Sequence, residues 1–171
     1  MTALVFVDSN VFVYTRDGRE PAKQLRAMEW VAHLWRERLG KTSMQVLSEF
    51  YVTVTRKLKP HVASANAWDD VNSLLGWRPQ PVDVALLQRA REIEERHRLS
   101  WWDSMVVAAA QLQGCAVLLT EDLQEGAVFG GVTVRSPFRF EVGEPAAPYT
   151  IAPAATQRHP PRGRPKRATR K

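Results

Sequence analysis

The chain is 171 residues long, 44% hydrophobic and 25% charged, a length that suits one compact domain with its own core. A single cysteine excludes an intramolecular disulfide framework and a cysteine-rich zinc module, and the four histidines (33, 61, 97 and 159) show no ligand spacing. The net charge of +6 sits at one end: residues 158–171 carry seven Lys/Arg and no acid, and subtracting them from +6 leaves −1 on residues 1–157. The pI of 9.9 therefore describes a tail and not the body.

Residues 4–8 (Leu-Val-Phe-Val-Asp) read as a strand buried on both faces, as in a parallel sheet covered by helices. Pro21 to Leu39 shows a helical period, with Leu25, Met28, Val31/Ala32, Trp35 and Leu39 inward and Gly40 as the stop. A helix over Met44 to Leu58 would bury Met44, Leu47, Phe50/Tyr51 and Val54, although Val52-Thr53-Val54-Thr55 is β-prone. Ala63 to Leu75 reads as a helix with Trp68, Val71 and Leu74/Leu75 inward, and the prolines keep residues 77–82 extended. Asp83 caps a helix to about His97 with Val84, Leu87, Ala90 and Ile93 inward, and Ser100 caps another over Trp101 to Gln113. Cys115 to Thr120 is a second buried strand, with Cys115 a small buried hydrophobe and no nucleophile; Gly130-Gly131 turns into a last strand at Val132 to Val134. This order predicts an α/β sandwich with a mainly parallel central sheet flanked by helices over residues 1–142. Residues 143–171, holding six of the eleven prolines, are expected to be a disordered basic tail. Apolar runs such as Met105 to Ala110 fall far short of the ~18 residues of a spanning helix. The stretch Ala3 to Val7 stops at Asp8 with no basic residue before it, unlike a signal peptide. A cytoplasmic protein away from membranes is expected.

Functional groups of parallel α/β sheets gather at the carboxyl ends of the strands. Asp8 and Asp122 follow the first and second strands, while Glu49 and Asp103 lie in mainly apolar helical surroundings where a carboxylate is costly unless partnered. Spacings of 41, 54 and 19 residues mean that only tertiary folding brings the four together. Converging carboxylates repel one another unless a divalent cation lies between them, and an oxygen set without His or Cys suits Mg²⁺ or Mn²⁺ and phosphoryl chemistry. Each acid also has a plain structural reading. Asp8 fits an Asx turn with Asn10, Glu49 a pairing with Arg56, and Asp103 a capping box with Ser100. Trp101-Trp102 offers a base-stacking surface, but beside an Ala/Val-rich helix at least one belongs to the core.

Asp8-Ser9-Asn10-Val11-Phe12-Val13-Tyr14, Ser48-Glu49-Phe50, Ser100-Trp101-Trp102-Asp103-Ser104, Leu118-Leu119-Thr120-Glu121-Asp122-Leu123-Gln124-Glu125-Gly126 and the closing Val132-Thr133-Val134-Arg135-Ser136-Pro137-Phe138 together resemble a PIN-domain nuclease, more narrowly the VapC toxins of type II toxin–antitoxin pairs, over roughly residues 4–140. The resemblance implies a metal-dependent endoribonuclease with Asp8, Glu49, Asp103 and Asp122 around Mg²⁺ or Mn²⁺. It implies that Asn10 orients Asp8 or a metal-bound water, and that Thr120 is a supporting hydrogen bonder. It further implies a homodimer, an RNA substrate such as tRNA or ribosomal RNA, and a VapB-like antitoxin.

Pro161-Arg162-Gly163-Arg164-Pro165-Lys166-Arg167 resembles an AT-hook, whose arginines lie along the minor groove of A·T-rich DNA. The commoner reading of Arg162, Arg164, Lys166 and Arg167 is a flexible basic tail that holds any nucleic acid in a salt-dependent way. The alternative to an enzyme is thus a non-catalytic nucleic-acid-binding module that acts through the tail.

Overall fold

The computed structural model describes residues 3–142. The expectations for the tail, disorder over 143–171 and contacts through Arg162, Arg164, Lys166 and Arg167, lie outside the described residues.

Strand β1 (Val5–Val7) and helix α1 (Ser9–Tyr14) are followed by α2 (Pro21–Arg36), β2 (Gly40–Lys41) and α3 (Met44–Val52). Then come α4 (Ser64–Leu74), α5 (Val84–His97), α6 (Trp101–Leu112), β3 (Val117–Leu119), β4 (Val128–Phe129) and β5 (Val132–Arg135). The strands form one sheet in the order β2-β1-β3-β5-β4, parallel throughout except where β4 runs antiparallel to β5. Val5 pairs with Val117 and Val7 with Leu119, so β1 and β3 end side by side. Both are buried along their whole length, as strands of a covered parallel sheet must be. This is the expected mainly parallel α/β architecture with helices packed on the sheet. No helix of the described residues is long and apolar enough to cross a membrane.

Local chemistry sets the element ends. Ser43 Oγ accepts from Val46 N at 3.2 Å to open α3, and Asp83 Oδ1 accepts from Leu86 N at 2.9 Å to open α5. The β-prone run after Val52 does not continue α3 as an α-helix. Thr53–Lys57 instead forms a wide turn closed by Leu58 N donating to Thr53 O at 2.9 Å. Helix α1 departs from the sequence reading, which gave these residues no helix. Its Val, Phe and Tyr are poor helix formers, but Asp8 caps it and Val11 and Phe12 are buried.

The helices exist where the periodicity places them, but several present a different face. In α2 the core takes Ala27, Trp30 and Leu34, while Leu25, Met28 and Trp35 are exposed. The two stripes adjoin, and Trp30 decides between them: its indole N–H donates to Pro137 O at 3.0 Å and its ring stacks on Phe140 at 5.5 Å. In α5, Leu86, Ala90 and Ile93 are buried and Val84 and Leu87 exposed; in α4, Trp68 lies outside against Tyr51 while Val71 and Leu74 point in. Met44 is exposed where a core position was expected. Gly40 also differs: α2 stops at Arg36 and the left-handed turn falls to Arg38 (φ 58°), while Gly40 lies in β2 against the Trp77 ring.

A Cβ at Gly40 would stand 2.5 Å from the buried Trp77 indole, whereas one at Gly18 meets nothing within 4 Å. Gly40→Ala is therefore expected to destabilise the fold by about 1–3 kcal/mol, lowering the urea midpoint at unchanged slope. Gly18→Ala serves as the neutral control, and equal midpoints for the two variants would show that Trp77 yields at no cost.

Candidate functional site

Because β1 and β3 are parallel neighbours, their carboxyl ends deliver Asp8 and the Thr120–Asp122 segment to one place. Asp8 is 1% exposed. It caps α1 by accepting from Ser9 N with Oδ1 at 2.7 Å, and its own N–H donates to Leu119 O at 3.1 Å. The Thr120 hydroxyl donates to Asp8 Oδ2 at 2.6 Å and accepts from Asp122 N at 3.1 Å and Asn10 Nδ2 at 3.0 Å. The Asn10 amide also donates to Asp122 Oδ2 at 2.9 Å and lies 3.4 Å from Asp8 Oδ2. Asp8, Asn10, Thr120 and Asp122 thus form one hydrogen-bonded knot, with an amide shared between two carboxylates.

Glu49, on α3, joins at one remove. Its Oε2 accepts from the hydroxyl of Ser9, the residue after Asp8, at 3.1 Å, and its Oε1 accepts from Gln45 Nε2 at 2.8 Å. Gln45 Nε2 also reaches the Trp102 carbonyl at 3.4 Å, which ties α3 to the first turn of α6. Asp103 is the next residue on that turn, buried, and closed into a reciprocal cap: Ser100 Oγ accepts from Asp103 N at 3.1 Å and donates to Asp103 Oδ2 at 2.7 Å. The structural reading of both acids is thus present: Asp8 caps α1, and Asp103 is held by Ser100, the cap of α6.

A cleft of about 830 Å³ opens over this ground, with Asn10, Gln45, Glu49 and Asp122 among its lining residues. Among the described residues no three Asp, Glu, His or Cys side chains stand close enough together to hold a metal ion, so the four carboxylates do not form a closed cage. The donor set nonetheless suits a hard divalent ion of the Mg²⁺ kind, which keeps several waters and needs only one or two carboxylates. Two further oxygens at the cleft, Asn10 Oδ1 and Gln45 Oε1, are buried with no hydrogen-bond partner. Buried acceptors in that condition suit a cation or its waters.

Glu121, next in sequence to Asp122, is turned away from the knot. Its carboxylate lies 3.0 Å from Lys23 Nζ, which also donates to Tyr14 Oη at 3.0 Å and sits over the Tyr14 and Phe138 rings. Hydrogen bonds to Tyr14 and Glu121 hold the Lys23 ammonium above its ordinary pKa; burial raises the Tyr14 phenol against the lowering effect of Lys23. The structure therefore separates the two adjacent acids, Asp122 to the knot and Glu121 to a cation. Cys115 is buried, and burial pushes its thiol up to about 12, in line with an inert hydrophobe. The sequence reading passed over Ser9, Gln45 and the cleft residue Lys57. Of these only Gln45 left a legible signal, standing one helical turn before Glu49.

The PIN domain family profile matches residues 5–124, which contain every residue of the knot together with Glu49 and Asp103. The chain belongs to the PIN-domain family. Among solved structures, this PIN chain is similar to the crystal structure of Mycobacterium tuberculosis VapC20, described as a sarcin–ricin loop cleaving toxin. The likeness has a TM-score of 0.47 and 19% identity, and covers 67% of this chain and 86% of that one. No curated protein matches the chain in sequence.

Thr120→Val removes the hydroxyl that serves Asp8, Asn10 and Asp122 at once: Asp8 Oδ2 loses this donor and the Asp122 N–H loses this acceptor, while the Asn10 amide keeps its two carboxylates. It is expected to cost about 1–3 kcal/mol in a urea titration, with Thr120→Ser close to wild type. A valine variant of unchanged stability would show that the knot contributes nothing to the fold.

Proposed function

We propose that this PIN-domain chain is a metal-dependent endoribonuclease of the VapC toxin type, which hydrolyses phosphodiester bonds of RNA. The observation that carries the reading is the knot of Asp8, Asn10, Thr120 and Asp122 at the adjoining ends of β1 and β3, open to a cleft that Glu49 also lines. Asp8 and Asp122 would hold Mg²⁺ or Mn²⁺, with Glu49 and Asp103 completing the acidic surround. When bound, such an ion supplies an activated water and stabilisation of the leaving oxygen. Thr120 fixes the Asp8 carboxylate by donating to it, and the helix-capping bond to Ser9 N fixes its other oxygen. Asn10 holds Asp122 in register with Asp8 through one amide. Ser9 and Gln45 between them fix both oxygens of Glu49. Each carboxylate is thereby oriented before substrate arrives, which is what a hydrolytic site requires.

The same reading includes a VapB-like antitoxin that silences the site, a homodimer, a cytoplasmic setting, and a tail in which Arg162, Arg164, Lys166 and Arg167 raise the local concentration of RNA or DNA around a near-neutral domain. The fold supports an enzyme over a module acting through its tail alone, because the knot that joins Asp8 and Asp122 lies in the PIN domain and opens to a cleft.

Asp8→Asn and Asp122→Asn are each expected to abolish cleavage of RNA in Mg²⁺ or Mn²⁺, and EDTA to do the same to the unaltered chain. Glu121→Gln, on the neighbouring acid, is expected to have a far smaller effect. Cleavage that survives in Asp122→Asn at the wild-type rate, or nucleic-acid binding lost on removal of residues 143–171 with no metal-dependent cleavage by the full chain, would overturn the assignment.

A further inference from the structure

The two adjacent tryptophans at the start of α6 have different fates. Trp101 packs against the core, whereas Trp102 is 40% exposed and lines the cleft that holds Glu49 and Asp122. An indole left 40% in water beside a polar site is a poor use of a large apolar ring if its role is stability, since aromatic side chains contribute chiefly through burial. The backbone that carries it is fixed. Ser100 caps the first turn of α6, and the Trp102 carbonyl accepts from Gln45, whose other bond is to Glu49. The backbone that carries the ring is thus tied through Gln45 to Glu49, the acid beside the knot. Val52, Val82 and Met105, the last one turn along α6 from Trp102, add apolar lining to the same cleft, and Lys57, from the wide turn after α3, supplies an exposed cation.

A flat aromatic face, apolar lining beside it and an ammonium group match the three parts of an unpaired nucleotide: a base to stack, an apolar edge to cover and a phosphate to meet. We infer that Trp102 is a specificity-determining residue that stacks a nucleobase of the RNA strand next to the bond being cut, with Lys57 meeting a phosphate of the same strand. This rests on the ribonuclease reading and goes beyond it, because it names the feature of the substrate that the cleft selects. A base must leave its helical stack to lie on the ring, so the site favours single-stranded or looped RNA over duplex. An apolar peptide would use the same walls but has no need of a π face.

The test uses a fluorescein-labelled single-stranded RNA oligonucleotide of mixed sequence, and its duplex form. Affinity is read by anisotropy in the full chain carrying Asp122→Asn, so that the probe is not consumed, and KM and kcat are read in the otherwise unaltered chain. The basic tail contributes alike to every variant. Trp102→Ala is expected to weaken binding of the single strand, and to raise KM, by roughly 5- to 150-fold, the range one lost base–aromatic stack implies, with a much smaller change in kcat. Trp102→Phe should keep most of the affinity, Trp102→Leu should behave like alanine, and weaker duplex binding should not change across the series. Comparing Phe with Leu keeps the test sound if the alanine variant folds poorly. Leu binding as well as Phe, or a fall in kcat alone, would overturn the stacking role while leaving the nuclease assignment intact; so would an equal loss on duplex, or RNA binding untouched while a protein partner is lost. A wild-type chain that neither binds nor cleaves the single strand, in metal, would instead overturn the ribonuclease reading itself.

Discussion

The parallel pairing of β1 with β3 is the constraint on which the site depends. Strands that run in the same direction finish at the same edge, so the residue after Val7 and the residues after Leu119 must share one small volume. What occupies that volume is two carboxylates and the groups that make their proximity tolerable. Like charges drawn together away from water repel, and each acid then needs donors of its own. Thr120 and the N–H of Ser9 serve Asp8, while the Asn10 amide lies between Asp8 and Asp122 as a neutral donor to the pair. The helix α1 follows from this arrangement as much as it supports it, since the same carboxylate that enters the knot satisfies the first free amide of the helix.

The four acids differ in how firmly the fold holds them. Asp8 and Asp103 sit at helix starts and are fixed by capping, and Glu49 lies within α3 with both oxygens engaged. Asp122 alone stands on irregular chain, between β3 and β4. That loop is anchored on both sides of the acid by other carboxylates. Glu121 reaches Lys23 on α2, and Glu125 accepts from Ser136 N and pairs with Arg135 of β5. The neighbours of Asp122 that look like competing ligands are therefore its supports. Lys23, held as a cation and lying over two rings, is a pin of this kind and does not line the cleft.

Much of this was legible in the sequence, for identifiable reasons. The buried strands announce themselves as short apolar runs ended by polar residues, and caps such as Ser100 and Asp83 mark their helices because the side-chain oxygen has one local task. The helical faces were misread where two apolar stripes adjoin. In α2 both Leu25/Met28 and Ala27/Trp30 satisfy the period, and only the distant Pro137 carbonyl and Phe140 ring choose between them. The two-residue strands β2 and β4 carry no periodic signal of their own and exist through their neighbours. Of the candidate acids, Glu49 and Asp103 stand out by cost, as charges in apolar surroundings, and Asp8 and Asp122 by their place after strands, but the groups that orient Glu49, Ser9 and Gln45, are ordinary polar residues until the fold gives them partners.

The plain and the functional readings of Asp8 and Asp103 do not compete, and the reason is geometric. A helix N-terminus offers free N–H groups and the positive end of the backbone dipole, so a carboxylate there is stabilised without a basic side chain. Capping leaves carboxylate lone pairs available, since each ionised acid has about four acceptor positions and one backbone N–H uses only one of them. A cap, a hydroxyl and a shared amide orient the acids at the strand ends. Glu121 shows the contrary case within the same loop: given to Lys23, it anchors the chain and leaves the acidic ground to its neighbour.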